Sequence, residues 1–164
     1  MKLIIDADIM RSAGTSEHPV SSTSRNLLIK IKDEGLVAVY CPTLMQEWKK
    51  HRSNYARQWI VAMVSRKKLA LVNVNIEAKL FLESLADSKA KDIALKDAHL
   101  VDLAIATDKI IFSNDLNAKD AFSKLLDNRD NFNNIYWLSP KIDMDIILEN
   151  VLKNKKIYNV NKTI

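Results

Sequence analysis

Several acidic residues stand where apolar runs end or helical patterns begin. Asp6 follows Lys2-Leu3-Ile4-Ile5, with Asp8 two residues further on. Glu47 comes shortly after the run Leu36 to Tyr40, Asp97 precedes an apolar helical stretch, and Asp115 ends the run Ile110-Ile111-Phe112-Ser113-Asn114. Carboxylates gathered in one place repel one another and take up protons unless a cation is present. A set of oxygen donors suits Mg²⁺ or Mn²⁺, hard ions held by a few carboxylates plus water and phosphate. Such an ion can activate water and offset charge on a phosphodiester during in-line attack. Taken singly, each acid has a plainer role. Asp6 could end a strand or cap a turn, Glu47 could be solvated on a helix face, and Asp97 and Asp115 could be N-caps. Chemistry enters only through their joint placement.

Other chemistries find little support. The two glycines, Gly14 and Gly35, exclude a GxGxxG dinucleotide loop and a GxxxxGK[ST] phosphate loop. The histidines His18, His51 and His99 share no metal-ligand spacing with each other or with Cys41, so a zinc site is not expected. There is no serine nucleophile elbow. Cys41 is the only cysteine, which precludes an internal disulfide and fits a reducing compartment. It follows an apolar run and is expected as a buried thiol.

The elements that must position these acids follow from the pattern. Short apolar runs at 2–5, 36–40, 69–74, 109–113 and 135–138 read as five strands. Helical spacing covers 23–33, stopped by Gly35, then 43–67 with a break near 52–54, 76–86, 89–95, 97–107, 117–127 and 142–153. Residues 12–22 read as loop, rich in Ser and Thr. Strands alternating with helices imply a parallel sheet covered on both faces. Sites in such sheets form beyond the carboxyl ends of the strands, which is where the acids stand.

The 164 residues suit one domain, expected over 1–153 and followed by a polar tail at 154–164. Hydrophobic residues make up 48% and charged residues 27%, the composition of an ordinary globular protein. The first apolar run stops after three residues, short of the roughly 7–15 of a signal peptide. No window approaches the ~18 of a membrane span. A cytoplasmic location is expected. The net charge of +5 fits a polyanionic partner as well as simple solubility. Lys49, Lys50, Arg52 and Arg57 crowd the segment after Glu47, where they could hold phosphates. Trp48, Tyr55 and Trp59 interleave with them at helical spacing and are core residues before they are stacking platforms.

Four segments in order carry a family resemblance: Ile4-Ile5-Asp6-Ala7-Asp8-Ile9, Thr43-Leu44-Met45-Gln46-Glu47-Trp48, Asp97-Ala98-His99-Leu100-Val101-Asp102-Leu103-Ala104, and Ile110-Ile111-Phe112-Ser113-Asn114-Asp115. The chain resembles the PIN-domain nucleases, which include VapC-like toxins. The resemblance implies a three-layer α/β/α fold with a central, mostly parallel five-stranded sheet. It implies a Mg²⁺- or Mn²⁺-dependent endoribonuclease, with Asp6, Glu47, Asp97 and Asp115 as metal-binding catalytic acids and Ser113 supporting the site. It makes RNA the substrate, with an antitoxin protein and a second copy of the chain as candidate partners. Asp8 stands where the family commonly has Asn and could join the site. Asp102 is a further candidate, although five helical residues rotate it about 140° from Asp97.

Two other readings remain open. Asp6-Ala7-Asp8 also fits the DxD of haloacid-dehalogenase-like phosphatases, with Asp6 as nucleophile and Asp115 and Asp120 as later acids. That reading leaves Glu47 and Asp97 without a role. A non-catalytic PIN-like module binding RNA or protein is the other.

Overall fold

The computed structural model describes residues 1–126 and 130–155. Five strands form one sheet: β1 (Lys2–Ile5), β2 (Val37–Tyr40), β3 (Leu69–Leu71), β4 (Ile110–Phe112) and β5 (Tyr136–Leu138), in the order β3-β2-β1-β4-β5. Every neighbouring pair is parallel. The expected α/β class is therefore found, with a sheet that is parallel throughout. Leu3, Ile4 and Ile5 are fully buried, as are all three residues of β4. Strands covered on both faces require such unbroken apolar runs.

The helices are α1 (Ala7–Ser12), α2 (Pro19–Asp33), α3 (Pro42–His51), α4 (Asn54–Ser65), α5 (Glu77–Ser84), α6 (Lys89–Lys96), α7 (Ala98–Ile105), α8 (Leu116–Leu126) and α9 (Met144–Ile146). A 3₁₀ turn lies at Asp130–Phe132, and α9 continues into a π-helical segment, Ile147–Lys153. Helices α1 to α4 pack in one group and α5 to α8 in another, flanking the sheet. No helix among the described residues is long and apolar enough to cross a membrane.

Three differences from the sequence pattern exceed two residues. Helix α1 occupies a stretch without helical periodicity, because six residues are too few to display one. Helix α2 starts at Pro19, inside the expected loop, with proline at the first helical position where its missing N–H costs nothing. Its polar residues Ser21 and Ser24 face inward: Ser24 Oγ lies 2.8 Å from Ser12 Oγ, and Ser21 Oγ accepts from the Gly14 N–H at 3.2 Å. Strand β3 ends at Leu71 rather than residue 74. The glycine stop holds: Gly35 has φ +62°, and Leu36 N–H bonds to Ile31 O while Gly35 N–H bonds to Lys32 O. That pairing is a Schellman end, which needs the left-handed residue glycine supplies. Cys41 is buried. Residues 156–164 of the expected tail lie outside the described residues.

Candidate active site

The order of strands reverses at β1. The chain steps outward from β1 through β2 to β3, then crosses to the other side of β1 to form β4 and β5. Adjacent connections from β1 and β4 thus leave the sheet in opposite directions and open a crevice beyond their carboxyl ends. Asp6 immediately follows β1, and Ser113, Asn114 and Asp115 follow β4.

Hydrogen bonds lock the two strand ends together. The Asp6 N–H donates to Phe112 O at 2.9 Å. Ser113, fully buried, donates its hydroxyl to Asp6 Oδ2 at 2.6 Å. The Asn114 N–H donates to Asp8 Oδ2 at 2.8 Å. Asp115 accepts from the Ala118 N–H at 2.9 Å through Oδ1 and so caps α8. Its capping role and its place in the crevice coexist, because a carboxylate has a second oxygen to present.

Helix α3 supplies Glu47. The Trp48 indole N–H donates to Ile5 O, at the end of β1, over 2.8 Å, while its ring is fully buried. That bond fixes α3 against the strand end and brings the preceding residue beside Asp6. The Trp59 indole is held likewise by Leu28 O at 2.6 Å. Both tryptophans are core residues. Glu47 is the sixth residue of α3.

Helix α7 supplies Asp97. This residue occupies the cap position of α7 but makes no side-chain capping bond. Asp6 likewise precedes α1 without a side-chain cap bond. Residues placed at helix starts normally spend their oxygens on the backbone. Asp97 does not, which leaves its carboxyl for the crevice.

One cavity of ≈ 200 Å³ gathers Asp6, Asp8, Glu47, Asp97 and Asp115, together with Ala7, Arg11 and His51. The four principal acids share it, and Asp8 joins them. The electrostatics show the cost of the gathering. Burial raises Asp6 above its ordinary value, with the Ser113 bond offsetting only part. Asp8 is pushed up to about 7 by burial and then by the charge of Asp6. Asp97 is pushed up to about 7 for the same two reasons. His99 Nε2 stands 3.2 Å from Glu47 Oε2, an ion-pair distance without an aligned hydrogen bond. Burial alone would lower His99, but Glu47, then Asp97 and Asp6, carry it upward.

The donor chemistry fits a hard divalent cation: the gathered groups are carboxyl oxygens, and burial and then mutual repulsion raise Asp8 and Asp97 to about 7, an effect that a bound cation would oppose. Asp8 Oδ1 is buried without a hydrogen-bond partner among the described residues. Among the described residues, however, no three Asp, Glu, His or Cys side chains are gathered tightly enough to hold an ion as they stand.

Asp102 does not belong to this cavity. It is buried on the other face of α7, where Oδ1 accepts from the Ala78 N–H at 2.6 Å in the first turn of α5. Burial raises it and that bond opposes the rise. The 140° rotation from Asp97 explains the separation. Lys49, Lys50 and Arg57 are exposed and Arg52 is half-buried, and none lines the cavity. Asp120 is exposed and also absent from its walls.

Three residues near the acids escape the sequence pattern. Arg11 belongs to the short helix α1, which shows no periodicity. His51 lies one helical turn after Glu47, a spacing of four that puts both on one face. His99 lies two residues after Asp97. The sequence matches no model of a known protein family, and a search of curated proteins finds none significantly similar to it.

Proposed function

We propose that the chain is a divalent-metal-dependent nuclease that hydrolyses phosphodiester bonds in RNA. One observation carries this reading. Five carboxylates from four separate segments line one small cavity at the switch point of a parallel sheet, and burial with mutual repulsion holds Asp8 and Asp97 at about 7. A fold that served stability alone would gain nothing from such repulsion.

Asp6, Glu47, Asp97 and Asp115 are the residues that would hold Mg²⁺ or Mn²⁺, with Asp8 beside them. A bound ion of that kind lowers the pKa of water and offsets charge on a phosphodiester. The chain's own contribution is orientation. Ser113 fixes the Asp6 carboxylate, the α8 backbone fixes Asp115, and His99 restrains Glu47. Arg11 at the wall offers a cation to an incoming phosphate. Lys49, Lys50 and Arg57, exposed on α3 and α4, would contact the substrate farther from the chemistry. A role as the toxin of a toxin–antitoxin pair belongs to the same reading, as do a protein antitoxin and a homodimer.

The test is a panel of labelled RNAs incubated with Mg²⁺, Mn²⁺ or EDTA. Cleavage is expected with either ion, none with EDTA, and none from Asp6→Asn/Asp115→Asn. Equal cleavage by that double variant would sink the assignment.

A further inference from the structure

Beside the acidic cavity lies a larger one of ≈ 460 Å³. The two share Asp8, Arg11 and Asp115, so they are adjoining compartments of one depression. The walls of the larger compartment differ in character. Lys141 adds a second cation, Asn114 and Asn117 add amides, and Val20 and Leu116 add apolar surface. Leu116 is 42% exposed, although it opens a helix whose Ala118, Ala121, Phe122 and Leu126 are buried.

Two side chains lining the larger compartment carry buried polar atoms with no hydrogen-bond partner among the described residues, the acceptor Asp8 Oδ1 and the donor Asn114 Nδ2. The Asn114 amide is fixed at its other end: Oδ1 accepts from the Ser139 hydroxyl at 2.7 Å and from the Lys141 N–H at 3.3 Å. Buried polar atoms are normally satisfied, and an exception asks for an occupant. Arg11 and Lys141 are both exposed. Among the described residues the Arg11 side chain makes no hydrogen bond or ion pair, although carboxylates line the same walls. A guanidinium left free beside acids is available to an anion.

We propose that this second compartment binds one nucleotide of the strand being cut, its phosphate between Arg11 and Lys141 and its base against Leu116 and Val20. The inference rests on the nuclease reading and gives that site a substrate-positioning pocket. The physical need is clear: a cluster of acids, even partly protonated, repels a polyanion, so a strand delivered to it requires a cationic hold next door. The apolar pair gives the base a face to cover. The volume falls within the range of sites that take small ligands.

The experiment measures binding apart from cleavage. A fluorescein-labelled single-stranded RNA hexamer is titrated in EDTA with wild type, with R11Q/K141Q, and with K79Q/K89Q, which makes the same charge change on α5 and α6. Binding by R11Q/K141Q is expected to weaken about tenfold or more, and its salt dependence to flatten by about 0.7 in log–log slope for the one phosphate no longer neutralised. K79Q/K89Q is expected to keep the wild-type slope. In NMR titrations with AMP, the backbone amides of Leu116, Asn117 and Lys141 are expected to shift. The inference is overturned if R11Q/K141Q binds no more weakly than K79Q/K89Q, or if AMP shifts amides elsewhere only. Cleavage separates the two readings. RNA bound as expected but cut under no divalent ion leaves the pocket standing and removes the nuclease. Cleavage by R11Q/K141Q with unchanged KM does the reverse.

Discussion

The Ser113 hydroxyl donates to Asp6 Oδ2 at 2.6 Å and accepts from the Asp115 N–H at 3.0 Å. One buried side chain therefore orients an acid that follows β1 and anchors the backbone of an acid that follows β4. Removing it in Ser113→Ala is expected to lower cleavage about 10–100-fold, the usual effect of losing a group that orients a ligand. The stability cost should be about 1–3 kcal/mol, since a buried carboxyl oxygen is left without its partner. In a cycle with Asp6→Asn, the two losses should fall well short of additive. Additive losses would mean that Ser113 acts independently of Asp6.

Asp115→Asn and Asp115→Ala should separate capping from chemistry. Asparagine caps helices about as well as aspartate, so the first variant should keep its melting temperature and lose about two orders of magnitude or more in activity. Alanine should lose the activity and about 1 kcal/mol of stability as well. Circular dichroism melts and cleavage rates on the same preparations provide the check.

Asp102→Ala should show the opposite pattern. Its oxygen is spent on the α5 backbone, away from the acids. Loss of that charged, buried bond is expected to cost about 1–3 kcal/mol, while the rate per folded molecule stays at the wild-type level. A large fall in rate below the variant's melting temperature would return Asp102 to the site.

Stability without metal should decline as pH rises. Asp8 and Asp97 ionise near 3.8 when unfolded and at about 7 when folded. Between those values the folded protein holds more protons, so rising pH favours unfolding. His99, raised above its ordinary 6.5, acts in the same direction: its contribution is full below that value and is lost as pH climbs through the folded one. In EDTA, the melting temperature is expected to drop by about 5 °C or more from pH 5 to pH 8. Asp97→Asn should flatten the profile. Mn²⁺ should raise the wild-type melting temperature more at pH 8 than at pH 5, because protons compete with the ion for the same oxygens.

The sheet was legible because each strand is an apolar run too short to be a helix, and the alternation with helices fixed its parallel sense. The acids were legible as candidates because they stand at the ends of those runs. What the sequence could not convey was orientation. Asp97 and Asp102 sit on one helix, and only packing reveals that one enters the crevice while the other holds α5. Asp115 reads equally as cap or ligand, and the structure uses one oxygen as a cap. Arg11 stayed hidden because α1 is shorter than two turns. The inward-facing Ser21 and Ser24 concealed the start of α2, since polar residues on a buried face erase the periodicity that marks a helix.

The central place of β1 has a consequence for the order of events during folding. Its neighbours are β2 and β4, and the Ser113–Asp6 bond spans 107 residues of sequence. During synthesis Asp6 and Asp8 precede their partners by about a hundred residues, and the acidic cluster cannot be completed until Ser113 and Asp115 are available to pair. Long-range closure of this kind slows folding. It also keeps every shorter nascent chain without the full set of acids, so that the cluster assembles in one step instead of growing with length.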